Sequence, residues 1–196
     1  MNQELQTTIV DALVNDGYIV INSAISKELC HALVEDAKSE IGFKKAGISG
    51  ANDLHLDASK RRDKTLWLDE DNACKSEYLA FSRELQARLN RELYLGLTYY
   101  ESHYAIYEEG DFYEKHLDAF RGSKNRIVTT VLYLNEEWKE EDAGELLIYD
   151  EDDKMIKKVP PNAGTLVVFL SDKFPHEVLV SNSTRYSIAG WFRCDK

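Results

Sequence analysis

The chain has 196 residues, enough for one domain with a large buried core. Its 24 Lys+Arg against 35 Asp+Glu leave a formal net charge of −11. That balance argues against sequence-independent nucleic-acid binding and against adsorption to an anionic membrane, which both draw on clustered positive charge. At 43% hydrophobic and 30% charged residues the composition is globular, not disordered.

In chain order, Leu5, Ile9, Leu13 and Val14 share a helical face until Gly17, which predicts a first helix. Tyr18 to Ile21 reads as a short apolar strand. Ser26 and Glu28, ahead of Leu29, Leu33 and Ala37, predict a capped second helix. From Phe43 to Leu68 the order is indistinct, with Gly42, Gly47 and Gly50 supplying freedom. A third helical pattern runs from Tyr78 to Leu95 on Leu79, Leu85, Leu89 and Leu93. From Tyr99 onward β-rich runs take over, at 104–107, 127–134, 146–149, 165–170, 178–180 and 186–192. Turn signals separate them at 108–110, 122–123, 150–154, 160–162 and 181–183. Several strands with no helix between them predict an antiparallel sandwich or barrel. The expected fold class is mainly β with N-terminal helices (α+β), the helical support over 1–98 packing on a β core over 99–196 as one structural domain.

The N-terminal stretch mixes Glu4, Asp11 and Asp16 into its apolar residues, unlike a signal peptide. No apolar run of about 18 residues is present to span a membrane. Cys30, Cys74 and Cys194 are far apart and lack C-x-x-C spacing, so neither a disulfide framework nor a thiolate zinc site is expected, and a reducing cytoplasm fits.

Of the five histidines, His31, His55 and His103 lack a partner at a telling spacing and read as structural or surface groups. His116-Leu117-Asp118 differs. In a strand, residues i and i+2 leave the same face, so imidazole and carboxylate can share a metal while Leu117 points into the opposite layer. On a helix the two would diverge by about 200°. With His176 from another strand they complete a 2-His-1-carboxylate face with open positions, diagnostic of non-haem Fe(II) oxygenases.

Pro175-His176-Glu177-Val178 is followed by a turn at 181–184 and then Arg185. A hairpin of 176–180 with 185–193 would set His176 opposite Ala189 and put Arg185 about 13 Å along the strand from the ligand. A short dicarboxylate chelating the metal could bridge that gap to the guanidinium, which favours bidentate carboxylate pairing. By alternation Arg185, Ser187, Ala189, Trp191 and Arg193 share a face.

These residues carry a resemblance. The segment from Tyr107 to Arg193 resembles the iron(II)- and 2-oxoglutarate-dependent dioxygenases, within them prolyl hydroxylases of the oxygen-sensing type in a short, bacterial-like form. The family's H-x-D…H…R pattern stands at His116, Asp118, His176 and Arg185, beside Tyr133-Leu134-Asn135, the 143–149 run and Pro175-His176-Glu177-Val178. Upstream, the 61–67 run looks like the family's mobile substrate-covering loop and the strand after it. The resemblance implies a double-stranded β-helix (jelly-roll, cupin-like) core, with Fe(II) on His116, Asp118 and His176. It implies 2-oxoglutarate and O2 as cosubstrates, with ascorbate as an optional reductant. Arg185 and Tyr133 would hold the distal carboxylate, Tyr107 and Thr129 would line the cosubstrate pocket, and Arg61, Asp63, Tyr113, Arg126 and Trp191 would face substrate. The implied activity is hydroxylation of a prolyl residue in a protein or peptide, with release of succinate and CO2. Two departures stand out: Ala189 where this branch often has Thr, and Ala143 in place of the first glycine of a Gly-Gly pair.

Three readings compete with it. One is a hydroxylase of a small molecule such as a free amino acid. Another is a non-catalytic metal-binding cupin-like module, which leaves Arg185 without purpose. A zinc hydrolase on the same triad lacks an evident general base. Arg61, Arg62 and Lys64 are expected to form a basic lid, and the partner to be a neutral or basic peptide segment.

Overall fold

The computed structural model describes residues 3–49, 54–55, 57–119 and 125–194. The turn expected at Gly122-Ser123, the freedom assigned to Gly50 and the role of the His55 side chain lie outside the described residues. Helices α1 (Gln3–Asn15), α2 (Lys27–Ser39) and α3 (Ala73–Leu93) accompany β1 (Tyr18–Ile21), β2 (Lys44–Lys45), β3 (Ile48–Ser49), β4 (Leu54–His55) and β5 (Lys64–Trp67) in the first half. The second half holds β6 (Tyr99–Tyr107), β7 (Tyr113–His116), β8 (Arg126–Tyr133), β9 (Leu146–Tyr149), β10 (Met155–Val159), β11 (Leu166–Leu170), β12 (His176–Val178) and β13 (Arg185–Arg193).

Among the described residues the strands form a seven-stranded sheet, β1-β11-β8-β13-β6-β5-β2, and a four-stranded sheet, β10-β9-β12-β7, with β3-β4 as a separate pair. Strand alternation divides the side chains of the larger sheet between two cores. On β8, Val128 and Leu132 face the helices and pack with Ile9, Leu33, Leu85 and Leu89. The intervening Val131 and Tyr133 face the smaller sheet and pack with Leu146, Ile148 and Phe169. The helices therefore back one sheet, and the space between the sheets is free for a site at its open end.

Local signals explain the helices. Ser26 Oγ accepts from Leu29 N at 3.2 Å, as an N-cap should. Asn72 caps α3 by accepting from Lys75 N at 3.0 Å, starting that helix before the first leucine of its pattern. A polar network then ties helices to sheet: Tyr104 donates to Asp36 at 2.8 Å, and buried Lys75 reaches Glu40 at 2.6 Å and Asp71 at 2.9 Å.

Two expectations change. The hairpin of 176–180 with 185–193 does not form. β12 lies in the smaller sheet between β9 and β7, and β13 lies in the larger one between β6 and β8, with Ala189 opposite His103 and Val131. The intervening residues cross between sheets, which local turn chemistry cannot distinguish from a hairpin. Second, β7 ends at His116, so Asp118 is not on the pleat. Leu117 does not enter the opposite layer but sits 36% exposed at the cavity rim.

Ala143 adopts φ 53° and ψ −138°. That backbone region is one that glycine occupies without cost and other residues enter with roughly 1–3 kcal/mol of strain. Gly144 beside it, at φ +66°, could not carry a Cβ without lying 2.7 Å from Ser181 Oγ. Replacing Ala143 with glycine is therefore expected to stabilise the protein by about 1 kcal/mol in urea denaturation despite the added chain entropy. An unchanged or lowered midpoint at constant m would contradict the strain at this position.

Candidate metal centre and cavity

The turn of the smaller sheet brings the chemistry together. β12 pairs with β7 so that His176 stands directly opposite His116. His116, Asp118 and His176 present ligand atoms that all lie within 4.8 Å of one another. Each imidazole is oriented from behind: His116 Nδ1 is 2.8 Å from Glu114 O, and His176 Nδ1 is 3.0 Å from Phe174 O. A carbonyl can only accept, so both Nδ1 atoms carry the proton and both Nε2 lone pairs face the centre. His116 Nε2 is 3.9 Å and His176 Nε2 3.6 Å from the Asp118 carboxylate.

Asp118 owes its position to Thr129. Thr129 Oγ1 donates to Asp118 Oδ2 at 2.8 Å and stands 2.9 Å from Ser171 Oγ. Burial, with the facing His176, pushes the His116 pKa well below the ordinary histidine value. Burial works to raise the Asp118 pKa, but the two histidines outweigh it and leave it below the usual carboxylate range. A neutral imidazole and an ionised carboxylate are the protonation states a divalent cation needs. The donor set of two nitrogens and one oxygen on one side, with the other side open to a cavity, fits Fe(II).

That cavity has a volume of about 760 Å³ and lies between the sheets. Arg185 is at its base, 1% exposed. Its guanidinium lies 4.8 Å from the Tyr107 ring centroid and 4.9 Å from that of Tyr133. Its only hydrogen bond among the described residues is from Nη1 to Ser187 Oγ at 3.3 Å, and no carboxylate pairs with it. Arg185 Nε and Tyr133 Oη are both buried with no partner. Burial pushes the Tyr133 phenol up to about 12, so it remains a donor at neutral pH. An orphaned phenol donor beside an uncompensated guanidinium describes a cradle for a carboxylate. The residues present therefore fit the distal end of a 2-oxo dicarboxylate as well as they fit the metal.

Of the remaining sequence candidates, Arg61, Tyr113, Arg126 and Trp191 form the cavity's outer part. Asp63 is fully buried and does not line the cavity; it holds Arg61 through contacts of 2.6 and 2.9 Å. Arg61 lies over the Tyr113 ring at 4.4 Å, and Tyr113 stacks on His116 at 3.6 Å. Arg126 lies 3.8 Å over the Trp191 ring and is paired with Glu101. In the expected basic lid segment Arg61 is paired with Asp63 and Lys64 with Glu108 at 2.6 Å, while Arg62 donates to Ala58 O. Backbone bonds from Arg62 N to Phe112 O and from Glu114 N to Lys60 O pin this segment along β7. Sequence reasoning did not single out Ser171, nor the place of His103 in the cavity wall. Ser171 carries no motif, and the position of His103 on β6 beside Tyr107, two alternations away, was its only available signal.

Fold and site together define a metal-dependent oxygenase of the double-stranded β-helix class. Residues 102–193 match the family model of the 2OG-Fe(II) oxygenase superfamily. The chain is similar to a prolyl-4-hydroxylase from Pseudomonas putida, with 35% identity and a TM-score of 0.87, covering 96% of this chain and 99% of that one. It is similar to a Trichoplax adhaerens prolyl hydroxylase solved with a hypoxia inducible factor peptide fragment, at 27% identity and TM-score 0.82, covering 97% and 89%. It is also 27% identical to human Egl nine homolog 1 over 94% of this chain and 45% of that protein. The chain spans about half the length of the Egl nine relatives it matches. The protein belongs to the 2OG-Fe(II) oxygenase superfamily, whose cofactors are Fe(II), 2-oxoglutarate and O2. Among the described residues, no helix is long and apolar enough to cross a membrane.

Replacing Thr129 with valine keeps the shape and removes the donor to Asp118. Mn(II) affinity, read by titration of the metal-stripped protein, is expected to fall about 10- to 100-fold. An unchanged affinity would mean that Asp118 is positioned without Thr129.

Proposed function

We propose that this protein hydroxylates a prolyl residue in a protein or peptide, consuming 2-oxoglutarate and O2 and releasing succinate and CO2. The observation that carries the cosubstrate part is the buried Arg185 guanidinium in the cavity wall, paired with no carboxylate among the described residues, with the Tyr133 ring 4.9 Å away and its Oη without a partner. Similarity along nearly the full length to prolyl hydroxylases supports the prolyl part.

Fe(II) with 2-oxoglutarate and O2 supplies the oxidising chemistry. The protein's own residues position and enclose it. His116, Asp118 and His176 would hold the metal by three ligands from one side, leaving the cavity side for cosubstrate and oxygen. Their backs are fixed by Glu114 O, Phe174 O and Thr129, so little reorganisation is needed on loading. Arg185 and Tyr133 would receive the distal carboxylate, the cation giving charge and the phenol a further donor. Tyr107 closes one side of that pocket, and its burial keeps its phenol protonated. Val131, Leu146 and Val178 make the walls apolar and exclude water from the reacting region. The substrate's proline would enter from the rim, where Trp67 is 57% exposed and Arg126 and Trp191 form a wall. Arg61, held by Asp63, would brace Tyr113 against His116 and so shape the entrance beside the metal.

The test is Fe(II)-dependent succinate formation by aerobic protein, followed by mass analysis of proline-containing peptides for one added oxygen atom. His116→Ala is expected to abolish succinate formation. Arg185→Met is expected to raise the KM for 2-oxoglutarate by at least about tenfold while leaving the cofactor-free protein as stable or more stable, because an unpaired buried charge is removed. Absence of succinate from Fe(II)-replete wild type would overturn the oxygenase reading. Succinate with hydroxylation of free amino acids and not of prolyl peptides would overturn the substrate.

A further inference from the structure

His103 is a buried, titratable group that neither metal nor cosubstrate uses. It lies on β6 with its side chain on the face shared by Ala105 and Tyr107, and it lines the cavity at 4% exposure. Two tryptophans grip its ring: Trp67 edge-on at 5.2 Å, and Trp191 tilted at 5.4 Å. Trp67 and Trp191 are themselves 6.5 Å apart, so the three rings form one aromatic corner at the mouth.

The imidazole's tautomer follows from its contacts. His103 Nδ1 is 3.0 Å from the carbonyl oxygen of Tyr104, and a carbonyl oxygen cannot donate, so Nδ1 carries the proton. Burial, aided by the Arg61 charge, pushes the His103 pKa down to about 4, so the second proton is absent at neutral pH. Nε2, at the far end of the ring, is then an acceptor with no partner among the described residues. The cavity contains other unpartnered groups, but those at its base are donors suited to an anion. At the mouth Trp191 Nε1 is a further unpartnered donor, and His103 Nε2 is an acceptor set among aromatic faces. Its complement is a neutral N–H beside an apolar ring.

A peptide passing a proline toward the metal offers that combination. Proline holds its neighbours near the polyproline II conformation, in which backbone N–H groups have no internal partners and the pyrrolidine ring packs against aromatic surfaces. Proline itself has no N–H, so the donor must come from a flanking residue. Resting on the prolyl reading above, we infer that His103 Nε2 is a specificity-determining acceptor for the backbone N–H of a residue flanking the target proline, in a slot walled by Trp67 and Trp191. It acts on substrate binding and plays no part in the oxidation.

Two variants separate the acceptor from the ring. His103→Phe keeps an aromatic body between the tryptophans and removes the acceptor, and His103→Gln restores an acceptor oxygen. Binding of proline-containing peptides to the Mn(II)- and 2-oxoglutarate-loaded protein is read by tryptophan fluorescence, and hydroxylation by steady-state kinetics with Fe(II). For His103→Phe the peptide Kd and KM are expected to rise roughly fivefold or more, the worth of one hydrogen bond, with kcat and the KM for 2-oxoglutarate unchanged. His103→Gln is expected to recover part of the loss. Peptides N-methylated one position at a time should include one that weakens wild type and leaves His103→Phe indifferent. Equal peptide affinity in wild type and His103→Phe overturns the assignment while the prolyl reading stands. Failure of wild type to bind or hydroxylate any prolyl peptide while forming succinate overturns both.

Discussion

A buried guanidinium with no carboxylate opposite it among the described residues is the constraint around which the site is organised. Removing a charge from water costs several kcal/mol unless a counter-charge or a full set of hydrogen bonds compensates. Arg185 has one long contact to Ser187 and two flanking tyrosine rings, which soften the penalty and do not cancel it. Other arginines near the cavity are treated differently: Arg61 is clasped by Asp63, and Arg126 and Arg193 share Glu101. Among the described residues no acidic side chain pairs with Arg185, whose one hydrogen bond goes to Ser187. A ligand would supply the missing partner, and a dianion that also chelates the metal would satisfy both ends of the cavity.

The two-sheet architecture makes this arrangement possible. Metal ligands come from β7, the turn after it and β12 in the smaller sheet, while the cation comes from β13 in the larger one. On the proposed function, chelation and charge pairing would fall to opposing walls, and a ligand spanning them would tie the sheets together at their open end. The strained Ala143 and the crowded Gly144 lie in the same region, because a side chain at Gly144 would meet Ser181 and press on Arg185 Cδ at 3.3 Å. Backbone close approach there gives the guanidinium its place. The net charge of −11 says little about this interior.

Much of this was legible in the sequence where one residue pattern has one physical meaning. Tyr18 to Ile21 and Leu146 to Tyr149 are apolar runs bounded by breakers, and both strands fall where expected. Ser26 caps as its side chain dictates. β10 was not legible: Met155 to Val159 has two lysines and no clean alternation, as suits an edge strand facing water. The placement of β12 and β13 in different sheets was hidden as well, since six residues can turn back or cross over and only the hydrophobic partners of both strands decide. Within the site, types with a dedicated chemistry (the His-x-Asp pair, the second histidine, the arginine) stood out. Thr129 was visible as an inward residue and not as the donor that sets Asp118. Ser171 meets Thr129, and His103 reaches the cavity wall, only through long-range pairing.

The role of Arg185 as partner to a distal carboxylate can be read directly from binding. The most direct measurement compares the affinity of Mn(II)-loaded wild-type protein for 2-oxoglutarate and for 2-oxopentanoate, which has the same chain and chelating end but a methyl group in place of that carboxylate. If the buried guanidinium is the carboxylate's partner, calorimetric titration should give 2-oxoglutarate an advantage of at least about thirtyfold, the lower range for truncating one member of a buried charge pair. Equal affinities for the two acids would contradict it.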